Sequence, residues 1–142
     1  MTALGRHTWE EHTGEVLLKV SAPTAEELFA EAGRALAELL AGKEQLTRHP
    51  APDAGPEAVV VEASDREALL VAWLNELVWR SETHKRIYSE VAVESVDDHR
   101  LVAAVRGFEP SHIRTAVKAA TLHRLRIAHD ADQWHATVVL DV

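Results

Sequence analysis

YSEVAVESV (88–96), RLVAAVRGF (100–108), AVKAATLHRLRIAH (116–129) and QWHATVVLDV (133–142) follow one another along the second half of the chain. Each is rich in β-branched residues and carries the period-two alternation of a strand. Two of the connections, DDHR (97–100) and HDADQ (129–133), have the polar composition of hairpin turns. Four strands in succession with no helix between them point to antiparallel pairing. They therefore predict an α+β protein and argue against a doubly wound parallel sheet.

Working back from that block, EAVVVEA (57–63) and EVLLKVSA (15–22) read as further strands, and residues 7–12 as a first one. Two helices separate them. The first follows Pro23, with Thr24 and Glu27 spaced as a capping box. Leu28, Ala32, Leu36, Leu39 and Leu40 mark its buried face, and Gly42 is its natural stop after Ala41. The second opens at Ser64, paired with Glu67, or at Asp65, two caps that spacing does not separate. It runs to about Thr83 with an apolar stripe of Leu70, Trp73, Leu74, Leu77 and Val78. Residues 43–56 hold three of the five prolines and predict a loop. The expected order is β-β-α-β-α-β-β-β-β. That is one domain over 1–142, a sandwich of mainly antiparallel strands with two principal helices.

The 142 residues suffice for a core without disulfides, and there is no cysteine to form one. Thiolate metal sites and cysteine nucleophiles are excluded. No apolar run approaches the length of a membrane span, so a soluble, cytoplasmic protein is expected. A net charge of −8 argues against a protein that grips nucleic acid over a wide surface. The charge is uneven. Residues 100–126 carry Arg100, Arg106, Arg114, Lys118, Arg124 and Arg126 against Glu109 alone. This is either a solvated strand face or a docking patch for an anion.

The final strand stays apolar through Val138, Val139 and Leu140, then ends on Asp141 and the carboxyl of Val142. A terminus of this kind is expected to pair into a sheet. Glu15 offers a second carboxylate at the start of another strand. An oxygen-only set suits Ca²⁺, Mg²⁺ or Mn²⁺ in preference to zinc, although two solvated acids would show the same pattern. The parity of its strand groups His123 with Val117, Ala119, Thr121, Leu125 and Ile127, the pattern of a core histidine. His12 has no periodicity to constrain it, and the other histidines lie in polar contexts. Trp73 falls on the helical stripe; Trp9, Trp79 and Trp134 suit rim packing or a partner surface. There is no glycine-rich phosphate loop, G-x-S-x-G elbow or H-E-x-x-H pair. An enzyme acting alone is poorly supported, including a metal-dependent hydrolase with His123 as base.

HTGE (12–15), WLNEL (73–77), VKAATLH (117–123) and the terminal LDV (140–142) together resemble the archease family. The motifs occur in the family's order and at compatible spacing from His12 to Val142. The resemblance implies a non-catalytic accessory protein of the GTP-dependent RNA ligase of tRNA splicing and RNA repair. Such a protein promotes ligase guanylylation and multiple turnover, and meets RNA only through the ligase. It also implies a divalent-metal site, most readily Ca²⁺, on Glu15, Asp141 and Val142. His12, Lys118 and His123 would be support or contact residues. Two positions depart from the family pattern: Glu15 stands for an aspartate, and Leu122 for a tyrosine. The alternative is a metal-independent, chaperone-like adaptor of another nucleic-acid enzyme, such as a tRNA methyltransferase.

Overall fold

The computed structural model describes residues 5–48 and 51–142; His49 and Pro50 of the expected loop lie outside them. Among the described residues, seven strands form two antiparallel sheets. β1 (Arg6–His12), β2 (Glu15–Ala22), β7 (Gln133–Asp141) and β6 (Ala119–Asp130) pair in the order β1-β2-β7-β6. β3 (Glu57–Glu62), β5 (Arg100–Phe108) and β4 (Ile87–Val96) pair in the order β3-β5-β4. The helices α1 (Ala25–Ala41) and α3 (Arg66–His84) each pack against strands of both sheets. The α+β sandwich expected from the strand block is the fold observed.

Alternation decides which face of the four-stranded sheet is covered. Val16, Leu18, Val20 and Ala22 of β2 are buried, as are Ala136, Val138 and Leu140 of β7. All of these except Val16 meet Leu28, Phe29, Ala32 and Leu36 of α1 and Leu70, Trp73, Leu74 and Leu77 of α3 in one core. Trp73 is fully buried, and its indole N–H donates to the Phe29 carbonyl at 2.8 Å. This satisfies the polar atom that so large a buried side chain brings with it. The opposite face of the sheet carries Glu15, Leu17, Lys19 and Ser21 on β2, and Asp141, Val139, Thr137 and His135 on β7.

Local signals set the helix ends. The Glu27 N–H donates to Thr24 Oγ1 at 3.1 Å. The reciprocal half of the capping box is not made, because the Glu27 carboxylate is taken by Arg34 and the Gly5 N–H. Asp65, not Ser64, caps α3, accepting from Ala68 N–H at 2.8 Å. The expected loop over 43–56 begins instead with a six-residue helix, α2 (Lys43–Arg48). Gln45 is the cause. It is buried, donates to the Ala41 and His112 carbonyls, and accepts from Ser111 N–H at 2.7 Å.

An ion-pair cluster fastens the edge strand β1 to α1. His7 Nδ1 lies 2.7 Å from Glu31 and Nε2 lies 3.1 Å from Glu38, while Arg34 bonds Glu27 and Glu31. A neutral imidazole has one N–H, so two carboxylate partners call for the imidazolium. The Glu31 hydrogen bond raises the His7 pKa above its ordinary 6.5; burial opposes this, and the charges of Glu38 and Glu31 add to the rise.

Candidate functional site

The site lies at the other end of the four-stranded sheet, on its uncovered face, and the hairpin register builds it. β1 and β2 meet through Thr13 and Gly14, with His12 opposite Glu15. Gly14 sits at φ 75, a left-handed conformation that glycine adopts without a Cβ penalty. β7 then runs antiparallel to β2 with Asp141 opposite Glu15, and β6 places Ala119 opposite Asp141. His12, Glu15, Asp141 and Ala119 therefore form one row across all four strands. Opposed partners on one face stand with their Cβ atoms about 4.5–5.5 Å apart.

The chain terminus is tied down on both sides. Val142 N–H donates to the Gly14 carbonyl at 3.1 Å, and Lys118 N–H donates to the Asp141 carbonyl at 2.8 Å. The Val142 side chain packs against the core. These contacts hold the final carboxyl beside the turn that carries Glu15, as an apolar last strand predicts.

Glu15 and Asp141 make no ion pair or side-chain hydrogen bond with any described residue. Like charges directly opposite each other in a sheet repel, and no described cation forms an ion pair with either acid. All the donors are carboxylate oxygens, the set that hard cations prefer. Among the described residues, no group of three or more His, Asp or Glu side chains could hold a metal ion. A cation here would draw on Glu15, Asp141, the terminal carboxyl of Val142 and water. On donor chemistry, the residues fit a hard divalent ion.

His123 is not a core histidine. β6 and β7 keep register at Thr121–Val139 and again at Arg126–Thr137, so β6 spends five residues where β7 spends two. The bulge cancels the parity on which the core reading rested, and His123 is exposed. It turns onto the uncovered face with Arg124. There the two residues close a hollow of about 140 Å³ with His12 and Glu15 over a floor of Leu17, Thr137 and Val139. His12, Glu15 and His123 are thus brought together. Lys118 is exposed and reaches Asp141 through its backbone. Arg124 stood out in the sequence only as one of the basic residues of 100–126, since nothing in HRLR announces a bulge.

The basic excess of 100–126 does not form one patch. Arg100 and Arg106 belong to β5 in the three-stranded sheet, and Arg106 lies 4.0 Å from Glu90. Arg124 and Arg126 belong to β6 in the other sheet. Of the tryptophans, Trp79 is 55% exposed. Trp134 stacks on His129 at 4.2 Å, with the Arg66 guanidinium on its ring 4.8 Å from the centroid.

Residues 8–142 match the Archease protein family (MTH1598/TM1083). Protein archease of Pyrobaculum islandicum is 31% identical, with 96% of this chain and 95% of that one covered. Protein archease of Methanopyrus kandleri is 30% identical over 94% of this chain and 99% of its own length. Among solved structures, Methanobacterium thermoautotrophicum protein 1598 superposes with a TM-score of 0.71 at 24% identity, covering 96% of this chain and 98% of that chain. An archease from Thermotoga maritima, described as a possible chaperone, gives 0.62 at 21% identity, covering 94% of each. At those identities the two structures speak for the fold.

Proposed function

The chain belongs to the archease family, and from that premise we propose that it is a non-catalytic accessory protein of a GTP-dependent RNA ligase, promoting ligase guanylylation and turnover through a divalent-metal site. The observation that supports this is the opposed, unpartnered pair Glu15 and Asp141 at a tethered chain end. Glu15, Asp141 and the carboxyl of Val142 would hold the ion, with Ca²⁺ the first choice and Mg²⁺ or Mn²⁺ also suited to oxygen ligands. A bound divalent ion supplies positive charge against phosphate oxygens.

The chain's own residues do the positioning. The Gly14 turn, the Val142 N–H and the Lys118 N–H fix where the acids stand. Glu15 reaches one methylene further than the aspartate of the family pattern, so its oxygens sit further from the β2 backbone. With a charge of −8, the protein suits a basic cleft on a partner better than naked RNA.

The test is a multiple-turnover assay with the cognate ligase, GTP and RNA ends bearing 3′-phosphate and 5′-hydroxyl. Wild type should speed guanylylation and raise the turnover number, and Asp141→Ala should abolish both effects. Stimulation that survives in Asp141→Ala identifies a metal-independent adaptor. No stimulation by wild type sinks the accessory reading.

A further inference from the structure

We propose that the hollow closed by His12, His123 and Arg124 is a binding site for a phosphate monoester. Size and donors define the class of ligand. The hollow encloses about 140 Å³. Pockets that take whole drug-sized ligands run from about 300 Å³ upward, so this one admits a phosphate group and leaves a nucleoside outside. His12, His123 and Arg124 approach it from β1 and the β6 bulge, and none of their side chains bonds any described residue. A guanidinium carries five N–H donors in a fixed fork that matches phosphate oxygens. The apolar part of the floor strengthens any charge interaction made above it.

Backbone strain is the second observation. Arg124 sits at φ 57, one of three described non-glycine residues with positive φ. A non-glycine residue held there is strained, and such strain persists only where the surrounding structure over-determines it. Bulges beside functional sites re-aim side chains, and this one aims the only cation of the hollow into it. Glu15 on the rim opposes an anion, so free phosphate should bind weakly and depend strongly on Arg124.

The affinity for phosphate is independent of the ligase reading, and any part the hollow plays in ligase stimulation rests on it. The strain supplies a variant that folds. Arg124→Gly suits the left-handed backbone, so its thermal midpoint should equal or exceed that of wild type. Titration with inorganic phosphate, followed by the His12 and His123 ring signals in NMR, should show saturable shifts. Arg124→Gly should weaken binding about ten-fold or more, the loss of one charge-assisted contact. Guanosine monophosphate and an oligoribonucleotide ending in 3′-phosphate, titrated in parallel, distinguish a nucleotide source from an RNA end. Ring signals that do not move with any of the three ligands overturn the proposal, as does unchanged affinity in Arg124→Gly.

Discussion

The two ends of the four-stranded sheet use acids in opposite ways. At the α1 end, Glu27, Glu31 and Glu38 are matched by His7, Arg34 and Lys43. At the turn end, Glu15 and Asp141 face each other with no counter-charge from the described residues. The first arrangement fastens β1 to the helix and has nothing to offer a ligand. The second leaves two acids without a described counter-charge at a tethered point, where the proposed cation would bind. Partnering separates a structural cluster from a candidate site better than the count of acids does.

Breaking the first end should have the largest effect on stability. Glu31 is buried and serves both His7 and Arg34. Glu31→Ala leaves a half-buried imidazolium with Glu38 as its remaining carboxylate partner and removes one of the two acid partners of Arg34. The cost falls between that of exposed and fully buried pairs, about 2–3 kcal/mol. For a chain of this size that lowers the melting temperature by roughly 6–9 °C in a calorimetric scan. A change under about 1 kcal/mol would remove the distinction drawn between the two ends.

Asn75 tests the platform under the second end. Its amide donates to the Ala120 carbonyl at 3.2 Å and accepts from the Ala120 N–H at 2.7 Å, completing the edge of β6 as a neighbouring strand would. Asn75→Ala leaves both backbone groups unpaired and should cost about 1–2 kcal/mol. Asn75→Asp keeps the acceptor and loses the donor, so it should fall between. Hydrogen exchange at Ala120 reads the local opening directly.

A smaller effect follows from pH. The folded pKa of His7 is raised above 6.5, chiefly by the Glu31 hydrogen bond. The stability it contributes is complete below the unfolded value of about 6.5 and is lost as pH rises through the folded value. Glu31 and Glu38 face the ring from α1, Trp9 touches its edge, and Arg34 compensates the acids from the far side. Melting temperature should therefore decline as pH rises above about 6.5 and through the raised folded value, and His7→Gln should flatten that slope. An identical slope in the variant would show that another group titrates.

The sequence carried the fold and part of the site, for physical reasons. Period-two alternation reports which face of a strand is buried, so the inward set of Val16, Leu18, Val20, Val138 and Leu140 was readable. So was the outward placement of Glu15 and Asp141. The same rule failed at His123, because a bulge breaks parity without changing composition. Pairing across the sheet is not local, so only the register shows that Glu15 and Asp141 are neighbours. Gln45 marks the opposite failure. Its helix exists because of partners 66 and 67 residues away, Ser111 and His112.

The smallest stability effect belongs to the acids of the second end, and its sign is the sharpest statement about them. In metal-free buffer, Glu15→Gln or Asp141→Asn removes a like-charge opposition and no protein partner. Either change should leave stability equal or raise it by up to about 0.5 kcal/mol. Added Ca²⁺ should reverse the order. A ligand that binds only the folded state stabilises it by an amount that grows with the logarithm of its concentration, about 2.7 kcal/mol at one hundred times Kd. Wild type should therefore rise in melting temperature with Ca²⁺ while Asp141→Asn stays flat. Thermal scans in chelator and in millimolar Ca²⁺ decide it. Destabilisation of both variants in chelator would mean that the acids have protein partners after all, and the contrast between the two ends would fail. Parallel gains with Ca²⁺ in wild type and Asp141→Asn would keep the charge argument and move the cation elsewhere.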